Sequence, residues 1–241
     1  MINWSFSKLS VYESCAYRYK LQYIEKLPQL PLKPDNPMER GNRIHNALEL
    51  YVKSEGPIDC EAKALTKFEP ALTHLQELYS VGMATAEDNW WFDTDWNPIK
   101  RTYAEDGTET TDKSLIWLWS KLDLNVTDET ELHVITGDYK SGKSGYKTIE
   151  HVQQIQLYVA VSAIKYPWAE KHTGELWYVD EGWVRSASYT VEEALRFVGR
   201  FDSRAQRIYN DKLYRPNPNI HTCRYCPFGK SHGTGACAVS A

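Results

Sequence analysis

The 241-residue sequence contains no apolar run close to the roughly 18 residues that a membrane-spanning helix needs. Its start, Met-Ile-Asn-Trp-Ser-Phe-Ser-Lys, lacks the basic segment and apolar stretch of a secretory signal. These absences predict a cytoplasmic protein with no membrane partner. Excess positive charge is also missing: 28 Lys and Arg stand against 32 Asp and Glu, a net charge of -4. That excludes a globally basic, histone-like DNA binder but leaves room for a local basic groove. Internal repeats and low-complexity tracts are absent. Ser141-Gly142-Lys143-Ser144 lacks the G-x-x-x-x-G-K-[ST] spacing of a phosphate loop, which argues against nucleotide-triphosphate binding. Cysteine is sparse and odd in number, five in all, which argues against a disulfide framework.

Three of those five crowd the C-terminal tail. Thr222-Cys223-Arg224-Tyr225-Cys226-Pro227 carries a C-x-x-C pair, and Cys237 follows across a Gly- and Ser-containing loop. A tight turn holds two such thiolates close enough to share a metal centre. Cys-Pro endings are common in iron–sulfur ligation. A fourth ligand is needed, and Cys15, Cys60, His221 and His232 are the candidates. Zn²⁺ and an iron–sulfur cluster both accept four thiolates, and spacing alone does not separate them. The plain alternative is free thiols in a reducing compartment. Cys60 stands apart and reads as a buried structural thiol.

Hydrophobic spacing predicts helices over residues 7–26, with Ser7 as N-cap, 38–53 and about 60–80. Prolines 28, 31, 34 and 37 mark an extended link between the first two. Residues 87–112 are Trp-rich, acidic and irregular, with a turn at Asp106-Gly107. Strands are predicted over 115–126 and 132–140, joined by a turn at 127–131. A helix over about 148–165, a hairpin at 175–189 around Glu181-Gly182, and a long helix over about 191–211 complete the chain. This order predicts a mixed α/β domain with a small central sheet.

Chemistry concentrates at Gly137-Asp138-Tyr139-Lys140-Ser141-Gly142. Residues 138 and 140 of a strand share a face. A hairpin through 127–131 brings Asp123 near Asp138, about 5–8 Å away across strands. Two crowded carboxylates repel, and Mg²⁺ relieves that repulsion while keeping water and room for a phosphate oxygen. Lys140 then orients a water or stabilises phosphate charge.

With these residues the sequence resembles the RecB-like exonuclease branch of the PD-(D/E)XK nuclease superfamily. Asp123 matches the first acidic motif, and Asp138-Tyr139-Lys140 with Ser141-Gly142 matches D-x-K. Arg40-Gly41-x-x-Ile44-His45 resembles the helical motif whose His binds metal, and Gln154-x-x-x-Tyr158 resembles Q-x-x-x-Y. Ser7-x-Leu9-x-x-Tyr12-x-x-Cys15 resembles the N-terminal segment carrying a first cluster Cys. With Cys223, Cys226 and Cys237 it looks like the AddB-type and CRISPR-associated nucleases with a [4Fe–4S] staple. The stretch between Cys226 and Cys237 is longer than usual in that family, and residues 87–112 match none of its motifs.

The resemblance implies a restriction-endonuclease-like α/β core in a single nuclease domain, 1–241. Residues 1–80 would be its helical part, 81–190 the catalytic sheet and helix, and 191–241 the last helix and Cys tail. It implies a stand-alone, phage-like DNA exonuclease using Mg²⁺ or Mn²⁺ held by His45, Asp123, Asp138 and the Tyr139 carbonyl. Lys140 would be catalytic, with Gln154 and Tyr158 in support. The cluster ligands would be Cys15, Cys223, Cys226 and Cys237. Lys143 and Lys147 beside the site, and the stripe Arg196, Arg200 and Arg204, are candidate DNA contacts; Glu192, Glu193 and Asp202 make a salt-bridged face the competing account of the stripe. Two rival functions remain, a non-catalytic DNA-binding module of the same fold and a structure- or sequence-specific endonuclease.

Overall fold

A computed structural model describes residues 3–145 and 148–240. Its centre is a five-stranded sheet in sequence order: β1 (Ala84–Phe92), β2 (Leu118–Asp128), β3 (His133–Lys140), β4 (Lys171–Tyr178) and β5 (Trp183–Thr190). Neighbours are antiparallel except β3 and β4, which are parallel. A parallel pair needs a long crossover, and the 18-residue helix Thr148–Lys165 supplies it. This is the expected mixed α/β core.

Helices cover both faces of the sheet. In chain order they are α1 (Phe6–Ser14), α2 (Ala16–Tyr19), α3 (Pro37–Val52), α4 (Glu69–Ser80), α5 (Thr148–Lys165), α6 (Val191–Asn210) and α7 (Ile220–Arg224). One core joins α1, α5 and α6 to the sheet through Phe6, Leu9, Trp90, Leu122, Tyr158 and Phe201. The other joins α3 and α4 through Ile44, Leu48, Leu72, Ala86, Leu124 and Tyr139. Among the described residues no helix is long and apolar enough to cross a membrane.

The sheet departs from strict alternation at one place. Leu122 and Leu124 are two residues apart on β2, so a regular strand would put them on one face. They lie in different cores, as do Ala86 and Trp90 on β1. The β1–β2 register runs Ala86↔Leu124 and then Asp88↔Leu122, leaving Glu87 and Asp123 out of the ladder. Glu87 has φ of 55°, a left-handed conformation uncommon outside glycine. The fault reverses the facing of both strands and frees two acidic side chains.

Three predicted elements differ. The helix over about 60–80 begins only at Glu69, after a single 3-10 turn at Leu65–Lys67. The helix over 7–26 starts earlier, with Ser5 accepting from the Lys8 amide, and is cut at Cys15, whose backbone is extended (φ -160°). The stretch 87–112 is not irregular throughout, because its first six residues belong to β1. The remainder loops out and returns through isolated bridges, with Gly107 at φ 82° in the predicted turn.

Candidate active site and thiol pocket

β2 and β3 pair only as far as Leu124↔Gly137. Beyond that point they separate, and side chains bridge the gap. Asp123 Oδ2 accepts the Tyr139 amide at 2.7 Å. The Tyr158 hydroxyl donates to the Lys121 carbonyl at 2.7 Å. The opening between the strands faces a cleft of about 610 Å³, lined by α3 together with Glu87, Lys121, Asp123 and Ser141.

His45 on α3 reaches into this cleft, its Nδ1 3.2 Å from Asp123 Oδ2 and 3.9 Å from Glu87 Oε1. Ligand atoms of His45, Glu87 and Asp123 all lie within 4.8 Å of one another. Glu87 was not anticipated from sequence. Its signal was faint: a carboxylate on the strand beside the Asp123 strand, inside a stretch read as irregular.

The motif residues around His45 have separate tasks. Ile44 is buried in the core. Gly41 allows close approach to the loop after β3, since a Cβ there would sit 3.2 Å from Ser141 Oγ. Arg40 grips Asp180 in a two-pronged pair at 2.7 and 2.8 Å. Asp180 also accepts the Lys63 and Gly142 amides. These bonds, Arg40 foremost, hold the Asp180 carboxyl far below the usual carboxylate range. The lock fixes α3, and so His45, against the end of β3.

Asp138 and Lys140 lie on β3 toward α5. Lys140 Nζ is in contact with Asp138 Oδ2 and donates to Gln154 Oε1 at 2.7 Å. Gln154 Nε2 donates to Asp138 Oδ1 at 3.0 Å and to the Tyr158 hydroxyl at 2.9 Å. The amide of Gln154 thereby holds acid and base together. Burial pushes the Asp138 carboxyl up, with Asp123 adding to the effect and Lys140 opposing it. Burial also works against charge on His45, but Asp123 and then Asp138 outweigh it and raise its pKa to about 9. Burial raises Glu87 as well.

The donor set suits a hard divalent cation: carboxylates with one imidazole. Glu87 Oε2 and Asp138 Oδ2 are buried oxygens that accept no well-formed hydrogen bond, although Lys121 and Lys140 stand beside them. The Asp138 side chain faces the Lys140–Gln154 network and lies outside the close trio.

The basic candidates are scattered. Lys143 is exposed, and Lys147 lies outside the described residues. Arg196 pairs with Glu192 at 2.6 Å. Arg200 lines a shallow pocket with Gln153, Gln156 and Arg185. Arg204 is bound by both oxygens of Glu13, at 2.7 and 2.6 Å, which ties α6 to α1.

Away from this cleft, Cys15, Cys223, Cys226 and Cys237 line one narrow, largely apolar pocket of about 20 Å³. The break after α1 turns Cys15 toward the tail, where the Asn217 amide lies 3.5 Å from its sulfur. The Cys226 amide donates to the Cys223 carbonyl, closing the C-x-x-C turn. Buried Phe228 then draws Cys237 back, accepting its amide at 2.8 Å. Gly233 lets the intervening loop fold tightly, because a Cβ there would lie 2.3 Å from the Pro227 oxygen. Burial raises the Cys237 thiol, and the other three sulfurs add to it. Cys60 lines a different pocket, with Arg43 and Glu61.

No curated protein matches the sequence. Among solved structures, the crystal structure of SSO0001 aligns over 94% of this chain and 95% of its own, at 16% identity and a TM-score of 0.34. A likeness that loose bears on neither mechanism nor substrate. The sequence model of the PD-(D/E)XK nuclease superfamily, by contrast, matches residues 3–231, nearly the whole chain, and the protein belongs to that superfamily.

Proposed function

We propose that the protein is a DNA exonuclease of the RecB-like branch, dependent on Mg²⁺ or Mn²⁺ and stapled by a [4Fe–4S] cluster. The observation that carries the nuclease reading is the convergence of His45, Glu87 and Asp123 beside the Asp138–Lys140 pair, where β2 and β3 separate. His45, Glu87 and Asp123 would hold the cation, and Asp138 and the Tyr139 carbonyl would extend the set. A cation bound there would supply Lewis acidity toward the scissile phosphate and would lower the pKa of a water. Lys140 orients that water and offsets charge on the phosphate. Asp138 and Gln154 keep its ammonium aimed, and Tyr158 fixes Gln154. A dead binding module would be expected to lose a carboxylate or the lysine, and all are present.

The test is hydrolysis of linear and circular DNA with Mg²⁺. An exonuclease degrades the linear form and spares the covalently closed circle. Cutting of the circle would make the protein an endonuclease, and cutting of neither, with binding retained, would make it a module.

The staple is a separate part of the proposal. Four thiols from opposite ends of the chain share one pocket without any three meeting the 4.8 Å spacing of the carboxylate–imidazole trio. A single Zn²⁺ at about 2.3 Å from each sulfur needs the four closer than a four-iron cluster does. Iron, sulfide and zinc analysis of protein purified without oxygen decides between the two.

A further inference from the structure

We infer that β5 is an interface for a second copy of this chain: two β5 strands pair antiparallel about a twofold axis through Ser186 and join two sheets into one. The two edges of the sheet are finished differently. β1 is covered by the chain that follows it. The Ile99 amide donates to the Trp91 carbonyl at 2.8 Å, and Arg101 donates to the Asn89 carbonyl at 3.2 Å. β5 has no such cover. Among the described residues, the backbone of residues 183–189 bonds only to β4. The other side of the strand is therefore a row of free donors and acceptors.

Bare edges are ordinarily blunted by shortness, lysine, proline or a bulge. None of these guards β5. It runs for 8 residues, where strands usually have roughly five or six. All of them pair with β4 without a slip, so the strand is regular. Its sequence, Trp-Val-Arg-Ser-Ala-Ser-Tyr-Thr, lacks lysine and proline, and Arg185 is its only charge. Every residue but Tyr189 is exposed, and Trp183 and Val184 each show 39% of their surface.

The edge is complementary to itself. In an antiparallel pair, residues opposite each other turn their backbone groups both inward or both outward. Two copies of one strand meet that condition only when the twofold passes through a residue and not between two. An axis through Ser186 sets Trp183 opposite Tyr189, Val184 opposite Ser188 and Arg185 opposite Ala187, each twice. Aromatic pairs are favoured cross-strand contacts, and both aromatics are already held. Trp183 stacks on Tyr178 with ring centroids 4.3 Å apart, and Tyr189 meets Phe197 of α6 at 5.3 Å. The only charge meets alanine, so no like charges stand opposite each other. An axis through Ala187 would leave Trp183 without a partner. A second copy supplies this pattern by symmetry. The joined sheet holds its two β3 strands five spacings apart, about 24 Å, so each particle carries two of the His45–Glu87–Asp123 clefts.

The test is molar mass in solution across protein concentrations, by light scattering or sedimentation, with amide exchange alongside. Wild type is expected to pass from monomer to dimer as concentration rises, and exchange at alternate residues of β5 should slow with it. Ser186→Lys and Ser186→Glu each set two like charges face to face at the axis. Each should raise the dissociation constant at least about tenfold. Neither should change the melting temperature, because Ser186 is exposed. An equimolar mixture of the two variants should dimerise again, since the new lysine of one copy then faces the new glutamate of the other. Mixing would not cure a local disturbance of β5. Wild type that stays monomeric up to submillimolar concentration overturns the proposal and leaves the edge to a strand of a different protein. A dimer that both variants retain also overturns it, as do variants that stay monomeric when mixed.

Discussion

The two clusters of metal-type side chains in this molecule are built on opposite plans. The carboxylate–imidazole cleft is made in mid-chain, from strands that part company, and it opens to about 610 Å³. The thiol pocket is made from the two ends of the chain and encloses about 20 Å³. An open, charged site leaves room for substrate and water. A closed, apolar one keeps solvent out. The difference separates chemistry from cohesion: the cleft holds buried carboxylates, Glu87 and Asp138, against lysines at its edge, whereas the pocket brings Cys15, beside α1, to the C-terminal tail.

The sharpest way to break this division is to remove one ligand from each side. Asp123→Ala should cost more than about 10³-fold in DNA cleavage, and Lys140→Ala about 10²–10³-fold, the scale of losing one aligned electrostatic group. Neither should lower the melting temperature by more than a few degrees. Cys223→Ser should do the reverse in order: the bound metal is lost first, then roughly several kcal/mol of stability, as for other structural metal sites, and activity falls only as folded protein does. Thermal melts, metal analysis and a nuclease assay on the same preparations check all three. A stable, metal-free Cys223→Ser enzyme would reduce the pocket to four ordinary thiols.

The two sites were not equally legible in the sequence. Asp138, Lys140, Gln154 and Tyr158 stand at strand and helix spacings that place them together once β3 and α5 are drawn, and α5 runs over the predicted residues. Glu87 escaped because periodicity assumes regular strands. The left-handed residue and the skipped pair that expose this carboxylate are departures from that regularity. Cys15 was one of four candidates for the fourth ligand and was singled out only through resemblance, since a helix over 7–26 hides the break that turns it toward the tail. The spacing of Arg196, Arg200 and Arg204 on α6 is legible, but sequence spacing says nothing of Glu13, which comes from 191 residues away to take Arg204.

A smaller effect concerns the lock between α3 and the loop after β3. The folded pKa of Asp180 is depressed, so its contribution is complete above the ordinary carboxylate range and is lost as pH falls below it toward the folded value. Asp180→Asn should cost about 1–3 kcal/mol near neutrality, the scale for hydrogen bonds to a charged group. The gap in melting temperature between wild type and Asp180→Asn should narrow from pH 5 to pH 2. Amide exchange at Gly142 should quicken over the same interval. The thiol pocket has no carboxylate in its lining and should not follow that titration; if both regions loosen together, cleft and pocket are one cooperative unit.

The smallest effect separates two arginines four residues apart on α6. Arg204 is engaged by both oxygens of Glu13, and its side chain is only 13% exposed. Arg200 has a single long contact, 3.5 Å to Gln156, and faces a shallow pocket. A protein that neutralises phosphates loses affinity with salt in proportion to the contacts made. Arg200→Ala should therefore reduce the slope of log affinity against log salt by about one and leave the melting temperature unchanged. Arg204→Ala should leave the slope unchanged and lower stability by about 1 kcal/mol, because an ion pair of this kind is worth little more. The reverse pattern would mean that Glu13 yields Arg204 to the substrate, and that the α1–α6 contact beside the thiol pocket belongs to binding as well as to cohesion.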